Sequence, residues 1–322
     1  MERNRQRYSG VGESVMSSSR EIYCLRISVV PDDYIEIYPF TSRILKSIAI
    51  QKILRNHKDL ILSRDRYKPL FISMLSNTSG RRMYSLYNAK PQRLRQGEKY
   101  YGRICFSPRE HASIDPELEG KLITPFGEML YHIDSIEMHT LESLGYEGGD
   151  RFYVELITPA LLSSKIVSPG NGDNVNVKRE LFRIPTPDAI IAYSLKLWNT
   201  LAPPEHRLPR PCDDDAARRY EALIAVKAAP CIGTDFAEMR SVVIETGRRI
   251  NRAPKTDTGF EGRLRFLIAC EKIEAIARKT LALIHLLGLG RGRGIGLGEA
   301  SIKTTNHREK ITNQLFISPR TK

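Results

Sequence analysis

Tryptophan occurs once in this chain, at Trp198, and cysteine five times, at Cys24, Cys105, Cys212, Cys231 and Cys270. No two cysteines stand as a CxxC pair and none sits beside histidines at zinc spacing, which excludes a structural zinc site; the odd, scattered set suggests reduced thiols in a cytoplasmic protein without metal. Apolar runs are short: nothing approaches the roughly 18 residues a membrane helix requires, and residues 1–20 lack the apolar centre of a secretory signal. Nucleotide-cofactor motifs are missing as well. G-x-x-x-x-G-K-[ST] occurs nowhere, and G-x-G-x-x-G fails in every register, so no cofactor is expected. The base-stacking strand R-G-F-G-F-V-x-F of an RRM is also absent, which counts against an unrelated RRM-type RNA binder.

Acidic residues are the other shortage. Thirty-seven Asp and Glu face fifty Lys and Arg over 322 residues, leaving a formal charge of +13. Such a surplus favours nucleic acid as partner, although a generally basic protein would share it. With 41% hydrophobic residues the chain is globular, and its length exceeds the roughly 250–300 residues at which one core stops growing. Two domains are the expectation.

What is abundant is glycine, in one place. From Leu287 to Gly298 six glycines alternate with other residues, and Arg291 and Arg293 sit in their midst. Glycine strips Cβ atoms from the backbone, so a second polymer can approach its N–H groups, while the arginine fork suits phosphate. Residues 271–287 just before it carry Ile273, Ile276, Ala277, Thr280, Leu281, Ile284 and Leu287 at helical spacing. Gly262–Ile268 alternates as a strand and Glu299–Ile302 can be another. Packed elements therefore hold the loop, in contrast to a flexible RGG tail.

The remainder of the chain follows a repeated order. A polar, basic tail over 1–20 precedes strands at Glu21–Val30 and Tyr34–Tyr38, then a helix capped by Thr41 or Ser42. Arg43 and Lys46, three residues apart, form a cationic pair on that helix, with Lys52 about 120° away from Lys46. Arg64, Arg66 and Lys68 then surround Tyr67, a mixture able to hold phosphates and stack a base. Strands are expected at Met83–Tyr87, Tyr100–Phe106 and His132–Met138, the last after a turn-rich connection. The second half opens with a strand at Phe152–Ile157 ended by Thr158-Pro159, a Gly/Asn loop at 168–176, a segment at Val177–Ile184 and a helix from Pro187 to Leu201. An exposed connection at 202–215 follows, and alternating apolar residues near Ile224, Val226, Val242 and Ile244 suggest further strands. The fold class is α+β, with ferredoxin-like domains over 21–145 and 150–305 and a basic tail over 306–322.

The pattern φ-G-φ-G-x5-G-φ-G at Leu287–Gly298 resembles the C-terminal glycine-rich loop of the RAMP superfamily of CRISPR-associated RNA-binding proteins. Tyr67-Lys68-Pro69-Leu70-Phe71-Ile72-Ser73 resembles the first-domain signature of its repeat-RNA endoribonucleases, and Thr158–Lys165 and Gly259–Arg263 resemble second-domain segments. The likeness runs over about 21–305 in order. It implies two tandem ferredoxin-like domains and metal-independent cleavage of CRISPR precursor RNA within each repeat, leaving a 5′-hydroxyl and a 2′,3′-cyclic phosphate. Its implied partners are repeat RNA and crRNA, with effector-complex subunits and a homodimer left open, and a non-catalytic RNA-binding subunit is the alternative. Many members carry a catalytic His just before the K-P-φ-F segment; Ser63 or Arg64 stands there, and His57 lies a little earlier. This resembles an archaeal branch that lacks the His and relies on Lys and Arg. Carried over position by position, the resemblance implies catalytic roles for Arg43, Lys46, Lys68 and Arg293, with Arg291, Gly290, Gly292, Gly294, Arg64, Arg66, Tyr67 and Lys165 on RNA. Crowded cations can lower a lysine toward neutrality, so Lys46 or Lys68 is the expected acid or base and Arg293 the phosphate clamp. The other histidines are expected in surface or packing roles.

Overall fold

A computed structural model of the chain describes residues 20–63, 65, 67–108, 116–162, 184–209, 214–248 and 253–305. The tails, the loop at 168–176, all but the last residue of the segment expected at Val177–Ile184, and Arg64, Arg66 and Lys165 lie outside them.

The first half gives, in order, β1 (Glu21–Pro31), β2 (Ile35–Ile37), α1 (Ser42–Ile48), α2 (Lys58–Leu62), β3 (Leu70–Ile72), β4 (Gln92–Leu94), β5 (Tyr100–Phe106), β6 (Glu119–Thr124) and β7 (Gly127–Thr140). Five strands form an antiparallel sheet in the order β3-β5-β1-β7-β6, while β2 and β4 pair separately. β1 holds the centre because Leu25, Ile27 and Val29 place a wholly buried face on α1, whose Ile44, Leu45 and Ile48 face back. Neither Thr41 nor Ser42 caps α1 as expected. The Thr41 hydroxyl instead donates to the Met83 carbonyl and accepts from the Leu75 N–H, and that of Ser42 donates to the carbonyl of Ile295 in the glycine-rich stretch. Expected strand Met83–Tyr87 is reduced to one isolated bridge, between Phe40 and Tyr84, and β6 is a strand where a turn-rich connection is expected from the sequence.

The second half gives β8 (Arg151–Ala160), α3 (Pro187–Leu201), α4 (Asp214–Ala228), β9 (Ile232–Arg248), β10 (Pro254–Ile268), α5 (Glu271–Leu287) and β11 (Ala300–Thr305). Its sheet order, β11-β8-β10-β9, with helices between β8 and β9 and between β10 and β11, is the ferredoxin-like arrangement. β8 runs through Thr158-Pro159 rather than ending there. Ile224 and Val226 belong to a helix, not a strand: Glu221, Ile224, Ala225 and Ala228 are buried at helical spacing while Val226 is exposed.

The two halves share a core. Ile22, Phe71 and Cys105 join the cluster built by Phe152, Tyr193, Trp198, Phe266 and the apolar stripe of α5. The cysteines correct an expectation: Cys24 is bonded to Cys105, and Cys231 to Cys270. Register supplies the reason, since Cys24 and Cys105 are direct cross-strand partners with Cα atoms 4.1 Å apart although 81 residues separate them in sequence. No helix among the described residues is long and apolar enough to cross a membrane.

Candidate active site

α5 aims its C-terminus at the first sheet, and the glycine stretch begins there. Glu271 and Glu274 in its first turn complement the helix dipole, and Gly288 follows its last turn as a residue of positive φ (75°). A side chain at 288 would strike Phe71 and the Gly298 carbonyl. The same holds along the loop: a Cβ at Gly290 would stand 2.4 Å from the Leu161 carbonyl oxygen, and one at Gly298 1.8 Å from that of Leu289. The polymer that approaches these glycines is therefore the protein's own chain. Hydrogen bonds from Leu289 N–H to Gly298, from Gly298 N–H to Pro159 and from Arg291 N–H to Leu161 use up backbone donors that the sequence suggested were open. Tyr193 donates from its hydroxyl to the Gly290 carbonyl.

What the loop does present is a short 3-10 turn, Arg293–Ile295, set against the segment before β3. Between them lies a cavity of about 330 Å³ lined by Lys46, Ser63, Asp65, Lys68 and the loop residues Arg291–Ile295. Lys46 comes from the last turn of α1. Lys68, half-buried, donates from Nζ to the carbonyls of Ile61 (2.8 Å) and Ser63 (3.0 Å). Burial, then the charges of Lys46 and Arg293, lower it from 10.5 to about 8, with Asp65 opposing. A neutral amine has two N–H bonds and one lone pair; two carbonyls holding the hydrogens leave the lone pair for a third partner.

Arg293 differs from its expected role of phosphate clamp. It is 3% exposed, and its guanidinium donates to the Leu287 carbonyl (3.2 Å), at the end of α5, and to that of Lys68 (2.8 Å). Those bonds lock the loop onto the Lys68 backbone while the charge stays beside the amine. Arg291 is more open, with 30% of its side chain exposed, and its Nη2 lies 3.3 Å from Asp257 Oδ1. Gly294 leaves room for the lysine, since a Cβ there would sit 3.3 Å from Lys68 Cε and Nζ.

A second cleft, about 490 Å³, lies between the two sheets and includes Arg26, Arg82, Arg103, His285 and Glu299. Glu299, 1% exposed, takes both ends of the Arg82 fork (2.7 and 2.5 Å) and lies 3.5 Å from Arg103 Nε. Its arginine charge is thus largely compensated from within, unlike the lysines of the first cavity. Among the described residues no group of three or more His, Cys, Asp or Glu side chains is placed to hold a metal ion.

A family model described as the Cas6 N-terminal domain matches residues 23–139, and one described as CRISPR-associated endoribonuclease Cas6 matches 154–300. The chain belongs to the Cas6 family. Two relatives from Saccharolobus solfataricus, each named CRISPR-associated endoribonuclease Cas6, are 29% and 27% identical over 297 residues, covering 89% and 90% of this chain and 98% of their own lengths. Thermus thermophilus Cas6 superposes with a TM-score of 0.54 at 12% identity, over 89% of this chain and 100% of its own. A Cas6 product complex gives 0.55 at 13%, over 88% and 100%. At such identities the likeness is one of fold, two ferredoxin-like domains in tandem.

Within this Cas6 fold the cavity gathers Lys46, Lys68, Arg291, Gly292, Arg293 and Gly294 from the residues expected by sequence. Gly290 lies under the loop against Leu161, and Tyr67 packs on Tyr193 at 5.5 Å with Lys196 Nζ 5.3 Å from its ring, so that ring is already engaged. Arg43 is exposed on α1 and does not line the cavity that Lys46 enters. His57 ends a 3-10 turn, Arg55–His57, away from the cavity, while Ser63 lines it. Sequence reasoning missed the carbonyls of Ile61 and Ser63, the tether from Ser42 and the Asp257 carboxylate. Backbone acceptors leave no residue-type signal, and Asp257 is one acidic residue among thirty-seven.

Proposed function

We propose that this chain cleaves CRISPR precursor RNA within its repeats at the Lys68 cavity, without metal, with ferredoxin-like domains over 21–145 and 150–305 providing the two walls. Neutral Lys68 takes the proton of the 2′-hydroxyl; the freed 2′-oxygen attacks the adjacent phosphorus in line. The bond from phosphorus to the 5′-oxygen breaks, and Lys46 gives that oxygen its proton. Products are a 2′,3′-cyclic phosphate and a 5′-hydroxyl. Charge gathering on the non-bridging oxygens meets Arg291 at the rim and the fixed charge of Arg293 behind, a preorganised arrangement worth roughly 10²–10³ in rate per donor.

One observation carries the reading: an amine lowered to about 8, both its spare hydrogens held by carbonyls, faces a cavity lined by three further cations. A base poised near working pH is what general catalysis requires.

The test is incubation of the protein with labelled repeat RNA in EDTA, beside RNA carrying a 2′-deoxy substitution at the cut. A single cut in EDTA, abolished by the 2′-deoxy and by Lys68→Ala, is the expected result. Tight binding with no cut would overturn the enzyme reading in favour of an RNA-binding subunit.

A further inference from the structure

The long hairpin of β9 and β10 belongs to the second sheet, yet its far end lies against the first half: Val242 and Ile244 pack with Phe40 and Met74, and the Tyr87 N–H donates to the Val243 carbonyl. At that end Asp257 turns toward the glycine loop. One of its oxygens meets Arg291 Nη2 at 3.3 Å, and the other accepts from the Thr246 hydroxyl at 2.7 Å across the hairpin. Only 14% of the Asp257 side chain is exposed, so the carboxylate is held from both sides.

Arg291 has a second peculiarity. Its Nε is buried and has no hydrogen-bond partner among the described residues, while the same side chain lines the cavity. The guanidinium is fastened through Nη2, and with 30% of the side chain exposed along the cavity its remaining N–H groups are free to receive an oxygen acceptor there. A flexible arginine would lose several rotamers on binding; one already fastened loses fewer.

We infer that Asp257, oriented by Thr246, is a positioning residue that holds Arg291 for a phosphate oxygen of bound RNA. The inference rests on the reading of the Lys68 cavity as the cleavage site. It makes the β9–β10 hairpin part of the active site although it carries neither Lys46 nor Lys68.

Charge and geometry separate here, and that gives the test. Asp257→Asn keeps the size and a bond to Thr246 but removes a negative charge from a surface that meets RNA. Repeat-RNA affinity should therefore hold or tighten, while the single-turnover cleavage rate falls roughly tenfold. Arg291→Ala should slow cleavage too, and the double variant should be no slower than Arg291→Ala alone. Thr246→Val, which leaves the charge and removes the orienting hydroxyl, should fall between wild type and Asp257→Asn. Losses that multiply in the double variant, or RNA affinity that falls along with rate and thermal stability, would overturn the assignment and make Asp257 a structural residue. An independent readout is the Arg291 Nε–H resonance in ¹H–¹⁵N spectra, identified by its loss in Arg291→Ala. Its collapse to the position of free arginines in Asp257→Asn supports positioning even if wild type proves unable to cut, whereas an unmoved resonance sinks it whatever the cleavage result.

Discussion

The neighbours of Lys68 act on it in three different ways. The carbonyls of Ile61 and Ser63 aim the amine, Lys46 and Arg293 disfavour its proton, and Gly294 leaves it space. Because the folded value of about 8 lies below the ordinary 10.5, the neutral amine becomes available as pH rises, so under the proposed mechanism cleavage should climb through about pH 8 and level off above it. The same shift acts on stability: between about 8 and 10.5 the unfolded chain binds the extra proton, and folding gains as pH rises across that window. A pH–rate profile with Lys68→Ala as baseline checks the first, and denaturant titrations at pH 7.5 and 10 compared between wild type and Lys68→Met check the second. Arg293 permits a sharper exchange. Lysine keeps the charge but lacks the planar fork that reaches both Leu287 and Lys68 carbonyls, so Arg293→Lys should lose stability and at least tenfold in cleavage rate. Unchanged melting in that variant would contradict the locking role.

At the scale of elements, the glycine loop is a packed ribbon between α5 and β11. Gly298 combines a positive φ of 73° with a missing Cβ that would otherwise lie 1.8 Å from a backbone oxygen, so Gly298→Ala should cost at least ~2 kcal/mol and displace Glu299 beside it. Gly145→Ala, where nothing lies within 4 Å, serves as control and should melt as wild type does. Elements also show what could be read in advance. α5 and β5 match their expected bounds because each carries a clear local signal: an apolar stripe bounded by Cys270 and Gly288 for one, and for the other a short run rich in aromatic and apolar residues that ends in the buried Ile104, Cys105 and Phe106. α4 was misjudged because Ile224 and Val226, two residues apart, imitate a strand, whereas the buried series Glu221, Ile224, Ala225 and Ala228 becomes visible only when a partner surface on α3 exists. β6 was missed because its turn, Thr124–Gly127, spoke louder than six residues of mixed polarity.

On the scale of the whole molecule, the buried carboxylate of Glu299 adds to the shared core in joining the two halves. Glu299, beside the glycine loop, meets Arg82 and Arg103 of the first half, and Arg103 Nη2 donates to the His285 carbonyl at 3.0 Å. Removing that carboxylate leaves two largely buried guanidinium groups without their counter-charge, which costs about 3–5 kcal/mol when a buried pair is broken. Glu299→Ala should therefore lower the melting temperature by well over the shift seen for an exposed pair such as Arg93–Glu36, whose Glu36→Ala should be nearly silent. Calorimetry of both variants decides the matter; equal melting would deny Glu299 its joining role.

Periodicity and motif order determined the α+β class, the elements around the glycine loop and the family likeness, because those signals are local: they depend on neighbours three or four residues apart or on a contiguous run. Composition likewise carried the basic surplus. The division of labour among the cations was settled in three dimensions. Arg43 and Lys46 look equivalent on a helix, yet only Lys46 lines the cavity; Arg291 and Arg293 are two residues apart, yet one reaches the rim and the other is buried against two carbonyls. Cys24 finds Cys105, and Asp257 finds Arg291, through strand register and hairpin length. Sequence specifies charge by residue type, but desolvation and contact depend on what distant segments bring alongside, and that is a property of the fold.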